Sequence, residues 1–310
     1  SKMLREEFPK VIQDKYKNEM ENHILRREII ATQVTNTLVN EMGFTFILRL
    51  QEETGASMPN ITRAFTIAQK IFGKQSLWRS VEKLDYKVKC ETQFRLMRMM
   101  NRLIRRSTRW LLRNRRDNLD IEATVSCYAK SVATLANGLT DYLSPSALED
   151  YQADVKHFVE KSVPEKIATR VASFVPMFSA LDIVEAALEY DWRVSEVAKT
   201  YFMLEEELDL YWLRNKITGI EPDSHWGALL RTALRDDLDW WQRMLTIGVL
   251  QQGRRRKTIN DKIDHWLSHA QDGVKRWKDI IERLKATATL TPVILSIAMR
   301  ELSDLVQMNL

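Results

Sequence analysis

An all-α fold, a multi-helix bundle arranged in two lobes, is predicted by three observations. Apolar residues recur at steps of three and four through nearly the whole chain, as one helix face requires. Only 9 Gly and 7 Pro occur in 310 residues, so turns are few and the elements between them long. The one strand-like run, Phe44 to Leu50, has no second run to pair with, although Phe, Thr and Ile favour extended backbone. A short helix ending at Gly55 is expected there instead. Twelve Met and nine Trp supply bulky apolar volume for a substantial core.

Each element follows from local signals. Ile12, Tyr16, Met20, Ile24, Ile29, Ile30, Val34 and Leu38 predict one helix that Gly43 ends, because glycine takes the left-handed C-cap conformation at little cost. Asn60 is read as the cap of a helix running to Gly73. A short helix from Ser76 to Leu84 precedes a long one from Val88 to Arg116, and another spans Leu119 to Leu143. Ser144-Pro145 combines a capping hydroxyl with proline at the first helical position, a strong start signal. Val163-Pro164 marks another start without a capping side chain, and Val175-Pro176 breaks the helix that follows. Helices over Ser195–Lys216, Ser224–Gln252, Asn260–Lys285 and Pro292–Met308 complete the series. The expected lobes are residues 1–143 and 144–310, divided near Ser144, with a single domain as the alternative.

Hydrophobic residues make up 45% and charged residues 29%, a balance typical of folded chains. The net charge of +5 is mild for this length, so the distribution of charge matters more than its total. Cys90 and Cys127 have no close partner in sequence and read as small core residues of a reducing compartment. The N-terminus has no basic segment leading an apolar run. Nor does any stretch approach the roughly 18–20 apolar residues of a membrane span. A cytoplasmic protein without a membrane partner is therefore expected.

One stretch points to a family. His23-Ile24-Leu25-Arg26-Arg27-Glu28-Ile29-Ile30-Ala31-Thr32, then Asn36, Asn40, Gly43, Phe46 and Glu53-Thr54-Gly55, resembles the region after the catalytic domain in large bacterial NAD-specific glutamate dehydrogenases. Phe8-Pro9, Arg63-Ala64, Trp78, Leu84-Asp85, Gln93 and Arg106 through Trp110-Leu111-Leu112 follow in order, so the family-like segment spans residues 8–112. A looser similarity continues through Tyr201-Phe202, Trp226, Ala233 and Asp237-Leu238. The resemblance implies a full-length enzyme that oxidises L-glutamate to 2-oxoglutarate and ammonia with NAD. It also implies homo-oligomers, with the catalytic domain of the same polypeptide as partner. The chain itself has no strand followed by a G-x-G-x-x-G turn to hold a pyrophosphate. The glutamate-binding lysine segment and the catalytic aspartate are absent too. No catalytic, cofactor-binding or metal-binding residue is therefore assigned, and no cofactor is expected in this chain.

The remaining constellations each have a plain reading. Arg95, Arg98, Arg102, Arg105, Arg109 and Arg113 step by three and four, making a basic stripe on one helix face, with Arg106, Arg115 and Arg116 beside it. Such a stripe can bind phosphates. The favoured reading is a structural face that meets acidic helices, with Glu205-Glu206-Glu207 and Asp209 as available counter-charges. Arg254-Arg255-Arg256-Lys257 reads as a basic connecting loop. Asp261, His265 and His269 share a face at four-residue steps, yet Trp266 stands where a zinc protease helix carries Glu, so a surface pair is favoured over a metal site. His23, Arg26, Arg27, Glu28, Asn36 and Asn40 read as packing contacts, with the cleft of a catalytic domain as the other possibility. Trp240-Trp241, Trp266 and Trp277 read as core or interface. The alternatives to a dehydrogenase module are a stand-alone helical scaffold and a nucleic-acid-binding module that uses the arginine stripe.

Overall fold

The computed structural model describes residues 4, 8–115, 119–222 and 224–309. Seventeen α-helices and two 3₁₀ turns appear among the described residues, and no strand does. Arg116, the last arginine of the predicted stripe, lies outside the described residues. The chain divides into two compact units. The first comprises residues 1–68 and 108–121, and the second comprises 69–107 and 122–310. Ser144 lies inside the second unit.

The first unit opens with α1 (Lys10–Lys15), α2 (Lys17–Glu21) and α3 (Arg26–Met42). The sequence predicts a single helix here. It is broken at Tyr16, whose backbone leaves the helical region, and again over 22–25, where His23 Nδ1 accepts a hydrogen bond from the Leu25 N–H. That local bond offers the backbone an alternative to the helix ladder. Gly43, at φ +84°, ends α3 as expected, and Gly55 ends α4 (Thr45–Thr54) in the left-handed region. The expected helix at Phe44–Leu50 is thus present. Helix α5 spans Met58–Phe72, starting ahead of Asn60. Pro59 sits comfortably in the first turn, where its missing N–H costs nothing. Asn60 instead accepts a hydrogen bond from Arg63 at 3.3 Å. Phe46 and Phe65 meet edge to face at 5.9 Å in the core of this unit.

Helices α6 (Lys74–Glu82), α7 (Cys90–Asn114), α8 (Ile121–Asn137), α9 (Pro145–Glu160) and α10 (Glu165–Ala172) come next. The predicted helix to Leu143 stops at Asn137, and a 3₁₀ turn at Leu139–Asp141 replaces its last turns. Ser144 caps α9 as expected, its hydroxyl accepting from the Ala147 N–H at 3.3 Å. Pro176 opens a 3₁₀ turn ahead of α11 (Ala180–Glu189), the expected break. Both cysteines are exposed rather than core residues. Cys90 begins α7, and Cys127 lies off the buried stripe Thr124, Tyr128, Val132 and Leu135 of α8.

The rest of the second unit is α12 (Val194–Glu207), α13 (Leu210–Gly219), α14 (His225–Gln252), α15 (Ile259–His269), α16 (Gln271–Ala286) and α17 (Pro292–Met308). Two predicted helices are each split in two. The first split falls at Asp209, which adopts a left-handed φ of 55°, and the second at Ala270. Three starts are fixed by hydroxyl caps at Ser224, Thr258 and Thr291. Helix α14 is about 42 Å long at the α-helical rise. It packs against α11, α12, α13, α15 and α17. Leu234, Leu238, Leu245 and Val249 present its core stripe, which shares one hydrophobic cluster with Trp266, Trp277, Leu295 and Leu302. Among the described residues no single helix is long and apolar enough to cross a membrane.

Trp277 is fully buried, and its indole N–H donates to the Leu208 carbonyl at 2.9 Å. Trp277→Ala removes both the ring volume and that bond. The expected loss is about 3–5 kcal/mol of stability, read as a lower urea midpoint at unchanged slope.

Candidate functional site

Helix α7 is strongly amphipathic, and its buried side, Leu96, Met99, Met100, Leu103 and Ile104, fixes where the arginines point. The predicted stripe is not one continuous face. Arg98, Arg102, Arg105 and Arg113 are exposed. Arg95 is half exposed, pairs with Asp154 on α9 at 2.9 Å and lies over the Phe158 ring at 5.3 Å. Arg109 is buried and donates to Glu53 on α4 at 2.5 Å, inside the first unit.

A dense polar cluster lies in the second unit and is built around Arg214 on α13. Its Nε donates to Glu205 on α12 at 3.2 Å, and Nη1 donates to Asp239 on α14. Nη2 donates to Gln242 Oε1 at 2.5 Å and to the Tyr201 hydroxyl at 3.4 Å. Gln242 in turn donates to the Tyr201 carbonyl at 3.2 Å. From α7, Arg106 reaches the other oxygen of Asp239 at 3.4 Å and stacks 4.1 Å over the Phe178 ring. A second buried pair, Arg243–Asp182 at 3.3 Å, joins α14 to α11.

The electrostatics follow from the geometry. Burial alone would raise the carboxyl of Asp239, but Arg214 and then Arg106 outweigh it and hold the group below the usual carboxylate range. Burial dominates at Glu205 and raises its carboxyl despite Arg214. Arg106 is pushed down to about 9, first by burial and then by Arg235, against the pull of Asp239. Burial works against the charge on Arg214 as well, yet Asp239, Tyr201 and Glu205 together raise it well above the ordinary arginine value. Each of these charges meets an opposite charge inside the cluster. The arrangement is a brace between four helices, and its chemistry is that of position rather than of transfer.

The predicted counter-charges are therefore corrected. Glu205 serves Arg214, Glu206 accepts from Ser146, Glu207 pairs with Lys278 and Asp209 with Lys285, so none of them meets the α7 stripe. Among the described residues Asp154 and Glu53 pair with Arg95 and Arg109 of the stripe, and Asp239 pairs with Arg106 beside it. Asp239 is distant in sequence and surrounded by Arg235, Asp236 and Asp237, so no local pattern singled it out. Asp261 completes a capping box with Thr258. His265 and His269 meet edge to face at 4.2 Å with Arg256 at 3.3 Å from His265, and no group of three or more metal-ligating side chains occurs among the described residues. Arg254-Arg255-Arg256-Lys257 forms the exposed connection between α14 and α15. Trp266 and Trp277 are core, while Trp240 is partly exposed beneath Arg243.

The family-like residues sort into two groups. Some brace the fold: Gln93 donates to Asp85 at 2.7 Å and to the Val81 carbonyl at 2.8 Å, and Arg106 and Tyr201 belong to the Arg214 cluster. Others are turned outward. Arg26, Arg27, Glu28, Asn36 and Asn40 are exposed on α3, where packing within the chain was expected. Their helix buries only Leu38 and Met42.

The chain is thus an all-helical protein braced by internal ion pairs. Its particular kind is given by comparison with known proteins. The family described as "Glutamate dehydrogenase, C-terminal" matches residues 1–304, and the chain belongs to that family. It is 38% identical over 300 residues to an NAD-specific glutamate dehydrogenase of Pseudomonas aeruginosa, covering 97% of this chain and 18% of the relative. An NAD-specific glutamate dehydrogenase of Halomonas elongata is 34% identical over 302 residues, covering 97% of this chain and 19% of that protein. One of Mycobacterium tuberculosis is 29% identical over 295 residues, covering 95% and 18%. The chain thus spans less than a fifth of the length of these relatives.

Two expectations follow from the brace. Asp239→Asn leaves two buried guanidiniums short of a charge, and breaking such a pair costs about 3–5 kcal/mol. Because the folded Asp239 carboxyl titrates below its unfolded counterpart, its contribution is complete above about pH 4 and is lost as pH falls further. Chemical denaturation from pH 7 to pH 3 therefore shows a shallower acid limb in Asp239→Asn than in the parent chain. In contrast, the exposed pair Arg102→Ala/Arg105→Ala shifts stability by only about 0–1 kcal/mol in thermal melts.

Proposed function

We propose that this chain is the non-catalytic helical module of an NAD-specific glutamate dehydrogenase. In that reading the full-length enzyme converts L-glutamate to 2-oxoglutarate and ammonia in the cytoplasm, passing hydride to NAD. The module buttresses the catalytic domain of the same polypeptide and contributes to homo-oligomer assembly. The observation that carries the reading is the match along nearly the whole chain to less than a fifth of each relative.

The described residues do not fit an NAD site. A dinucleotide site requires a glycine turn between a strand and a helix, where backbone N–H groups meet the pyrophosphate. Here the left-handed glycines Gly43, Gly55 and Gly73 all join one helix to the next. This supports placing the nucleotide on another part of the polypeptide, and no step of hydride transfer is assigned to these residues. The stripe reading as a nucleic-acid surface is weakened by the engagement of Arg95, Arg106 and Arg109 with carboxylates inside the chain.

Full-length enzyme is expected to reduce NAD in the presence of L-glutamate, while the isolated 310-residue chain neither reduces NAD nor binds it in calorimetry. Saturable micromolar NAD binding by the isolated chain would reject the assignment.

A further inference from the structure

The outward face of α3 and the start of α4 expose apolar and amide groups together. Ile24, just ahead of α3, is 91% exposed, and Phe44, at the cap of α4, is 76% exposed. Leu48 lies one turn beyond Phe44 and is 52% exposed. Between these ends, Thr32, Asn36 and Asn40 stand at four-residue steps on α3, all exposed. Side chains four residues apart share one helix face. The half-buried side of the same helix carries Ile30, Val34 and Thr37, so the helix is oriented rather than loose.

An exposed aromatic and branched aliphatics flanking a row of short polar side chains have the make-up of an interface: apolar anchors with hydrogen-bonding groups between them. Two amides and a hydroxyl in register can pair with backbone groups of a surface that lies along the helix. The relatives carry more than four fifths of their length outside the region matched by this chain. Polypeptide tied covalently to the module would reach this face at an effective concentration no free partner matches.

We infer that the α3 face, from Ile24 to Leu48, is the docking surface for the remainder of the same polypeptide, with Phe44 and Ile24 as its apolar anchors. The inference rests on the reading of the chain as a module of the larger dehydrogenase.

The test uses full-length protein with the photoreactive residue benzoylphenylalanine in place of Phe44, Ile24 or, on α17, Val293, which is also exposed. Isotopically light and heavy protein are mixed before irradiation, and cross-links are mapped by mass spectrometry. Positions 44 and 24 are expected to link to residues outside the 310-residue region, within one isotope class. Three results would overturn the docking surface: links between light and heavy copies, links confined to the 310 residues, or links outside the region from position 293 alone. Absence of links from all three positions overturns it too. Glutamate-dependent NAD reduction by the unmodified protein is measured in parallel. Correct links in a protein without that activity keep the surface and reject the dehydrogenase reading, whereas activity without links from 44 and 24 rejects the surface alone.

Discussion

Asp239 lies between two guanidiniums, those of Arg214 and Arg106, and the packing of the second unit turns on that carboxylate. Removing ions from water costs several kcal/mol each, and the cost is recovered only where geometry is good and the remaining donors are satisfied. Here the conditions are met by four helices at once. Helix α14 supplies the acid and Gln242, α13 and α7 supply the bases, and α12 supplies Glu205 and Tyr201. A hydrophobic cluster tolerates sliding of one helix along another. A guanidinium with four specified acceptors does not, so the brace selects one register among several that the apolar stripes alone permit.

The two kinds of family-like residue have different physical roles. Arg106, Tyr201, Asp85 and Gln93 act within the fold, and their neighbours account for them. The residues of α3 have few neighbours in the chain, because that helix buries so little of itself. A polar residue exposed to water contributes little to stability.

Helix periodicity made the fold class legible, and Ser144-Pro145, Val175-Pro176 and Pro292 located element ends because proline and capping hydroxyls act within one turn. The missed breaks at Tyr16, Asp209 and Ala270 lacked such signals. Leu208 and Asp209 continue the apolar and charged periodicity of a helix, and yet Asp209 takes a left-handed conformation, which aspartate adopts more readily than most residues. Pairing was less legible than position. The arginines of α7 were visible as a stripe, but their partners on α4, α9 and α14 lie 56, 59 and 133 residues away. Charge run length favours the nearest acidic cluster on paper, whereas burial decides in the fold.

The connection between α12 and α13 is only Leu208 and Asp209 long. It turns the chain back so that Glu205 and Arg214, nine residues apart, share a hydrogen bond. One residue added there would change how α13 leaves the turn and carry Arg214 out of its place relative to α12. Arg214 would then face away from Glu205, Asp239 and Gln242 together. The length of this turn is consequently locked, and insertions or deletions among relatives should gather elsewhere, as in the exposed basic connection after Gly253.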